Sequence, residues 1–384
     1  MKKQKIALFH PWLKSKGGAE KVVLGILKSK KYNIDIYTWV YDKENTFKEF
    51  QKFKINVIGP KISKKLSRLH ILRGLFLPIS IFSKIPLEKY DKFLISTSGV
   101  GEFITFKNYK KGKTYAYIHT PLREASDEIV EWNLKNRHNN FLKKQIYLTA
   151  VKIYKIFEKK AWKKLDVVIF NSELSFERAQ KHNLLKNKKT AIIYPPIDVG
   201  KLNKLKIKKG NYLLYLSRIN NPKRQDLLLK AWAEFIKKHP KEKLILAGNI
   251  ENKKFFEKVQ KLAKKTKNVE IKINPNEKEV LELYKNCKAV VFVPYNEDFG
   301  MIPFEALALG KHLIAVNKGG FAKLIEKVPH YHQIKEKENE REMIKEINNA
   351  FEKFLKSKIK AKKIKNLGNN IHKFKKEIEK VLIQ

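Results

Sequence analysis

Acidic side chains and sulfur are both scarce. Asp and Glu total 38 against 84 Lys and Arg, which leaves a formal net charge of +46 on 384 residues. A field of that sign favours anionic partners, whether nucleic acid, an acidic membrane face or a phosphorylated small molecule. Lysine is also spread along the whole chain, as a biased genome or heat adaptation would leave it, so charge alone names no partner. The single cysteine, Cys287, excludes an internal disulfide and fits a reducing compartment. Long apolar runs are missing as well. The longest uncharged stretch, Gly74 to Ser83, contains Pro78 and is about half the ~18 residues that a membrane-crossing helix needs. Basic residues precede a short apolar run at the start of the chain, but His10 and Pro11 break it too early for a signal-peptide core, so it reads as a first strand. The expectation is a cytoplasmic protein, with peripheral attachment to the inner face of the membrane as an option.

What is present is globular in composition, with 43% hydrophobic and 11% aromatic residues. Short β-branched and aromatic runs alternate with amphipathic helical ones, which predicts an α/β fold of parallel sheets covered by helices on both faces. In the first half the strands read KIALFH, YNIDIYTW, FLISTSG, TYAYIHT, DVVIFNS and TAIIYPP, and in the second YLLYLSR, KLILAG, VEIKI, AVVFVPY and HLIAV. Pro195 and Pro196 close one strand, and a polar segment from Asp198 to Asn211 leads into a fresh one. The expected organisation is a Rossmann-like unit over 1–196, a second over 197–365, and a basic helix over 366–384 that either packs back or lies on the surface. Ligands of open α/β sheets bind beyond the carboxyl ends of the strands, so the active site is expected in a cleft between two such sets of ends.

The most informative segment is AVVFVPYNEDFGMIPFEALALGKHLIAV. A buried strand ends at Pro294, a loop carries Glu297 and Asp298, and a helix starts near Gly300. The unpaired N–H groups of Gly300, Met301 and Ile302, at the positive end of the helix dipole, make a seat for phosphate or a sugar hydroxyl. Glu305 follows one turn later, so two carboxylates bracket the anion-accepting loop. That layout grips hydroxyls on either side of a phosphate. Spacing alone carries little weight; the strand, the Phe-Gly turn and the helix end supply the context. In YLSRINNPKRQDLLLKAW, Arg218 at a strand end and Lys223 five residues on can neutralise a pyrophosphate, whereas Arg224 reads as solvent-facing or structural. Gly17 and Gly18 stand in a loop between a strand and a helix, where missing side chains let backbone approach a ligand. GGAEK lacks the GxGxxG spacing of dinucleotide-binding oxidoreductases. His119 falls at the carboxyl end of a strand, followed by Thr120, Pro121 and Arg123. Arg123, Glu124 and Asn171 are weaker candidates. Neither a paired nucleophile nor a metal set is visible: there is no Asp-x-Asp, no cysteine pair, and no convincing partners for His330 and His332.

The Glu297 to Glu305 segment resembles the Glu-x7-Glu signature of retaining glycosyltransferases of family 4, which have the GT-B fold of two Rossmann-like domains facing each other across a cleft. The resemblance runs along most of the chain. Arg218 and Lys223 match the family's donor-phosphate motif, Gly17 and Gly18 its Gly-Gly loop, and His119-Thr120-Pro121 the segment of mannosyltransferase-like members in which the His contacts the transferred sugar. It departs at VNKGGFAKLIEK, where Lys323 stands in the place of a Glu, and at KVPHYHQIK, which replaces a Gly-rich turn. The resemblance implies a nucleotide-sugar donor with GDP-mannose the first choice, a glycan or lipid-linked acceptor, no metal or other cofactor, and no specific nucleic acid. In that reading Glu305 holds the ribose, Arg218 and Lys223 stabilise the leaving diphosphate, and amides near Gly300 with Glu297 and His119 fix the sugar.

The alternatives are a UDP-sugar-dependent enzyme of the same fold, a basic polyanion binder without turnover, and a GT-B protein that has lost turnover and only binds glycans or partners. Two basic amphipathic stretches, 61–86 and 143–164, bear on an anionic membrane partner. The first reads equally as a surface helix or a core-facing one. The second reads as a core-facing apolar stripe with a solvated basic back.

Overall fold

The computed structural model describes residues 3–60, 79, 80, 82–126, 130, 131, 133, 134, 140–197, 207, 208, 210–364, 367 and 369–383. The 61–86 stretch falls mostly outside them. The chain forms two compact units, residues 1–196 with 371–384, and residues 197–370.

The first unit holds a seven-stranded sheet in the order Ile55–Val57, Asn33–Thr38, Lys5–Phe9, Lys92–Thr97, Thr114–Ile118, Val167–Phe170, Lys189–Ile192. The second holds six strands in the order Val269–Ile273, Leu244–Gly248, Tyr212–Leu216, Cys287–Phe292, His312–Val316, Tyr331–Ile334. Every pairing in both sheets is parallel. Parallel strands are covered on both faces and so read as unbroken apolar runs. Tyr212–Leu216 and Leu244–Gly248 are buried at every residue. In each unit the first strand is central, and the chain leaves it in opposite directions on its two sides. That produces one switch point beside Lys5–Phe9 and another beside Tyr212–Leu216, where ligand crevices form in such sheets.

Two edge strands escape a reading of the sequence. Ile55–Val57 has three residues in a lysine-rich stretch, and Tyr331–Ile334 is half polar and follows Pro329. The KVPHYHQIK segment therefore opens as a turn and ends in the strand Tyr331–Ile334. His332 within it lies 3.0 Å from His312 Nδ1 through Nε2, and burial holds His330 and His332 down to about 4.

Alternation sorts the first sheet's side chains onto two faces. Ala7 and Phe9 join one core with Trp39, Phe93, Ile95 and Trp162, while Ile6 and Leu8 join the other with Ile36, Tyr115 and Tyr117. This second face is covered by the helix Gly18–Leu27 and by the final helix, Ile371–Ile383, whose Phe374, Ile378 and Leu382 recur at helical spacing and are fully buried. Phe374 packs so closely that a Cβ on Gly25 would stand 2.8 Å from its ring. Ser29 donates to Glu379 at 2.5 Å, and Lys92 Nζ donates to the Leu382 carbonyl. The last helix is thus part of the first unit's core. Phe374→Ala should lower that unit's stability by about 3–5 kcal/mol, read as a lower urea midpoint; a change under about 1 kcal/mol would mean the helix is a surface attachment.

Candidate active site

In the second unit the loops leaving Tyr212–Leu216 and Cys287–Phe292 meet at the switch point. Asn221–Lys223 forms a single 3-10 turn with Pro222 inside it, and Tyr295 N donates to the Pro222 carbonyl at 2.8 Å. This joint brings Lys223 Nζ to 2.5 Å from Glu297 Oε2. The two side chains are 11% and 20% exposed, and the ammonium stands 5.8 Å from the centre of the Phe292 ring. A pair so poorly solvated costs desolvation on both sides, and removing one partner strands the other charge. Arg224 is structural: at φ +54 it opens the helix Gln225–Lys238, and its guanidinium holds Glu336 at 2.8–2.9 Å and the Pro294 carbonyl at 3.1 Å.

Arg218 does not join the Lys223–Glu297 pair. Its side chain is 58% exposed and reaches Glu251 at 3.0 Å. Glu251 also accepts from Asn220, which makes it the anchor of the Arg218 loop. Behind that loop, Gly248 has φ +153 and a Cβ there would lie 1.8 Å from the Ser217 carbonyl oxygen, so only glycine lets the two strand ends close.

Gly300 takes φ +79 immediately before the helix Met301–Ala308, and a Cβ on it would meet the Phe321 ring at 2.9 Å. The first amides of this helix, at Met301 and Ile302, have no partner within it. The Glu297 carbonyl accepts from Gly320 N at 2.9 Å. The Gly319-Gly320 turn therefore backs the Glu297 loop, and Lys323 follows in the short helix Ala322–Ile325. Glu305, in the second turn of the Met301 helix, accepts from Tyr284 Oη at 2.8 Å. Burial and the Glu305 charge push the Tyr284 phenol well above its ordinary range, so it remains a donor. A reading of the sequence missed Glu251 and Tyr284, since both lie outside the motif segments.

In the first unit His119 directly follows Thr114–Ile118 and lies 2.8 Å from Ser96 Oγ through Nε2. Ser96 in turn meets His10 Nδ1, which is 3.1 Å from both the Ser96 carbonyl oxygen and its Oγ. A carbonyl only accepts, so His10 Nδ1 carries the proton. Burial lowers His10 to about 4, which leaves the ring neutral, and its Nε2 has no hydrogen-bond partner among the described residues. Three adjacent strand ends thus present His10, Ser96 and His119 as one chain of polar groups at this switch point. His10 registers in the sequence only as a break in the N-terminal apolar run; its place after the central strand is the signal that finds it.

The remaining candidates separate. Gly17 caps the helix Gly18–Leu27, so Gly18 is helical rather than part of a loop. A Cβ on Gly17 would lie 2.5 Å from Glu20 Oε2, which Ser15 also engages through Oε1. Thr120 accepts from Arg178 at 2.6 Å, Arg123 opens a 3-10 turn, and Asn171 Oδ1 accepts from Ser172 at 3.1 Å. The Glu124 side chain lies outside the described residues. Among the described residues no group of three or more His, Cys, Asp or Glu is placed to hold a metal ion, and no helix is long and apolar enough to cross a membrane.

Comparison with known proteins follows the same outline. Residues 201–374 match the family model of glycosyl transferases group 1. The chain is 27% identical over 371 residues to an alpha-1,3/1,6-mannosyltransferase of Dictyostelium discoideum, covering 83% of each protein. It is 26% identical over 368 residues to the human GDP-Man:Man(3)GlcNAc(2)-PP-Dol alpha-1,2-mannosyltransferase, covering 85% of this chain and 74% of that one. The crystal structure of Anabaena HepE in complex with UDP-glucose superimposes with a TM-score of 0.69 at 17% identity over 99% of both chains. WaaG, a glycosyltransferase of lipopolysaccharide biosynthesis, gives a TM-score of 0.59 at 15% identity, covering 92% of this chain and 96% of its own. The protein has the GT-B fold and is a glycosyltransferase. Its sequence is mannosyltransferase-like.

Beside the His119 network the loop after Lys92–Thr97 is fixed from below. Thr97 Oγ1 takes the amides of Gly99 and Gly101 and donates to Glu102 at 2.8 Å. Tyr154, on the helix Phe141–Trp162, donates to the Gly99 carbonyl and stands 3.2 and 3.3 Å from Glu102 and Glu158. Burial, then the Glu102 charge, raises Glu158 to about 8. A carboxyl raised in the folded state contributes stability fully present below its unfolded value near 4.5 and lost as the pH rises through 8. Glu158→Gln should therefore flatten the fall in melting temperature between about pH 4.5 and pH 8. A wild-type-like slope in the variant would show that Glu158 is not the group responsible.

Proposed function

We propose that the protein transfers a mannosyl residue from GDP-mannose to a hydroxyl of a glycan carried on a lipid-linked acceptor, with retention of anomeric configuration, as a family 4 enzyme. The observation that carries this is the Lys223–Glu297 pair, held at a switch point directly before the Gly300 turn and the Met301 helix. A pyrophosphate suits that position. It offers Lys223 the anionic partner that Glu297 supplies in its absence, while the first helix amides bind the remaining oxygens. Support for mannose comes from the names of two relatives, one of which is named for a GDP-mannose donor.

The second unit binds the donor and the first the acceptor. Glu305, steadied by Tyr284, holds the ribose hydroxyls; Arg218 and Lys223 balance the charge on the departing diphosphate; Glu297 and His119 fix the sugar; Gly17 and Gly18 let backbone approach the ligand. Fixed cations and amide dipoles stabilise the leaving group without a metal, because charge develops on the diphosphate as the sugar becomes oxocarbenium-like. The acceptor hydroxyl gives its proton to the donor phosphate. Attachment to the cytoplasmic face of a membrane suits a lipid-linked acceptor.

A UDP-sugar is the second reading, favoured by the likeness to a structure that holds UDP-glucose. A donor panel separates the two. GDP-mannose at a hundred times its Kd should stabilise the protein by about 2.7 kcal/mol and raise its melting temperature, with UDP-glucose giving no shift; the reverse order would transfer the assignment to UDP-sugars, and protection by polyanions alone would remove it. Arg218→Ala should lower kcat by about 10²-fold or more, and unchanged turnover would exclude its role at the diphosphate.

A further inference from the structure

The helix Phe141–Trp162 is amphipathic twice over. One side packs inward through Tyr154, Glu158, Ala161 and Trp162. On the other, Leu142, Ile146, Ile153 and Ile156 stand 65%, 61%, 48% and 50% exposed, and Phe141 at its start is 75% exposed. With Thr149 these positions run 142, 146, 149, 153, 156, alternating four and three residues, which lines them along one stripe. The core-facing stripe expected from the sequence is therefore only half of the helix. The side expected to be solvated carries bulky aliphatic residues that nothing among the described residues covers.

The charges beside the stripe select its occupant. Lys143, Lys144, Lys152, Lys155, Lys159 and Lys160 all lie on this helix, and its only acidic residue, Glu158, is buried. Pairing with a second copy would bring two lysine-flanked faces together with no exposed acid on the helix to offset them, a repulsive arrangement. An acidic surface that also admits aliphatic side chains satisfies both features. We propose that this helix docks the protein on an anionic lipid bilayer, lying in the interface with Leu142, Ile146, Ile153 and Ile156 in the acyl boundary and the lysines among the headgroup phosphates. Exposed apolar patches rimmed by charge mark interaction sites of this kind.

The docking face is independent of the donor chemistry, so the two are tested apart. The full chain is sedimented with vesicles of equal parts phosphatidylglycerol and phosphatidylcholine, and with phosphatidylcholine vesicles, while the GDP-mannose thermal shift is read on the same samples without lipid. Wild type should bind the anionic vesicles and leave the neutral ones. Ile146→Ser/Ile153→Ser/Ile156→Ser should lower the bound-to-free ratio at least about tenfold, with donor shift and melting temperature kept; these side chains are exposed, so the fold does not depend on them. Lys152→Gln/Lys155→Gln/Lys159→Gln should weaken binding and flatten its salt dependence. Undiminished binding by the serine variant would overturn the proposal, because adsorption would then be electrostatic alone. So would a failure of wild type to bind anionic vesicles, or a wild-type dimer in sedimentation velocity that the serine variant dissolves.

Discussion

Lys223 and Glu297 are 74 residues apart in sequence and 2.5 Å apart in space, and the order of the second unit's ligand-facing loops follows from that contact. Each charge is largely withdrawn from water and would be costly alone. The pair is affordable because Tyr212–Leu216 and Cys287–Phe292 are neighbouring strands whose loops leave the sheet at the same edge. Around it the backbone is closed by contacts that admit little variation: Tyr295 on Pro222, Gly320 on Glu297, and Gly300 against Phe321. An ammonium held by a carboxylate, next to helix-start amides that have no partner within their own helix, is the arrangement on which the proposed diphosphate contact rests.

The first unit solves a different problem. Its switch point presents polar groups, with His10, Ser96 and His119 linked in series and a buried acid pair bracing the neighbouring loop through Tyr154. Neutral donors and acceptors suit sugar hydroxyls, whereas the cations of the second unit suit phosphate. The helix that carries Tyr154 also carries the exposed aliphatic stripe, so the bracing of the His119 side and the proposed membrane contact share one element.

Much of this was legible before any coordinates, for a physical reason. Strands buried on both faces announce themselves as runs such as YLLYL, and glycines such as Gly300 mark turns that no other residue makes easily. Edge strands such as Tyr331–Ile334 were hidden because only one side of them is paired, and their polar residues look like loop. Glu251, Tyr284 and His10 were hidden because their roles arise from strand order, which no local pattern encodes. The 141–162 helix misled in the opposite direction: its apolar content predicts burial, and charge periodicity alone does not reveal that two separate faces are apolar.

The central claim is that Lys223 exchanges Glu297 for the donor's diphosphate. The most direct measurement is calorimetric titration of GDP into wild type and Lys223→Met, with circular dichroism to confirm that both fold. The account predicts that the variant binds at least about tenfold more weakly. Equal affinity in a folded variant would contradict it, and would leave Lys223 as nothing more than the partner of Glu297.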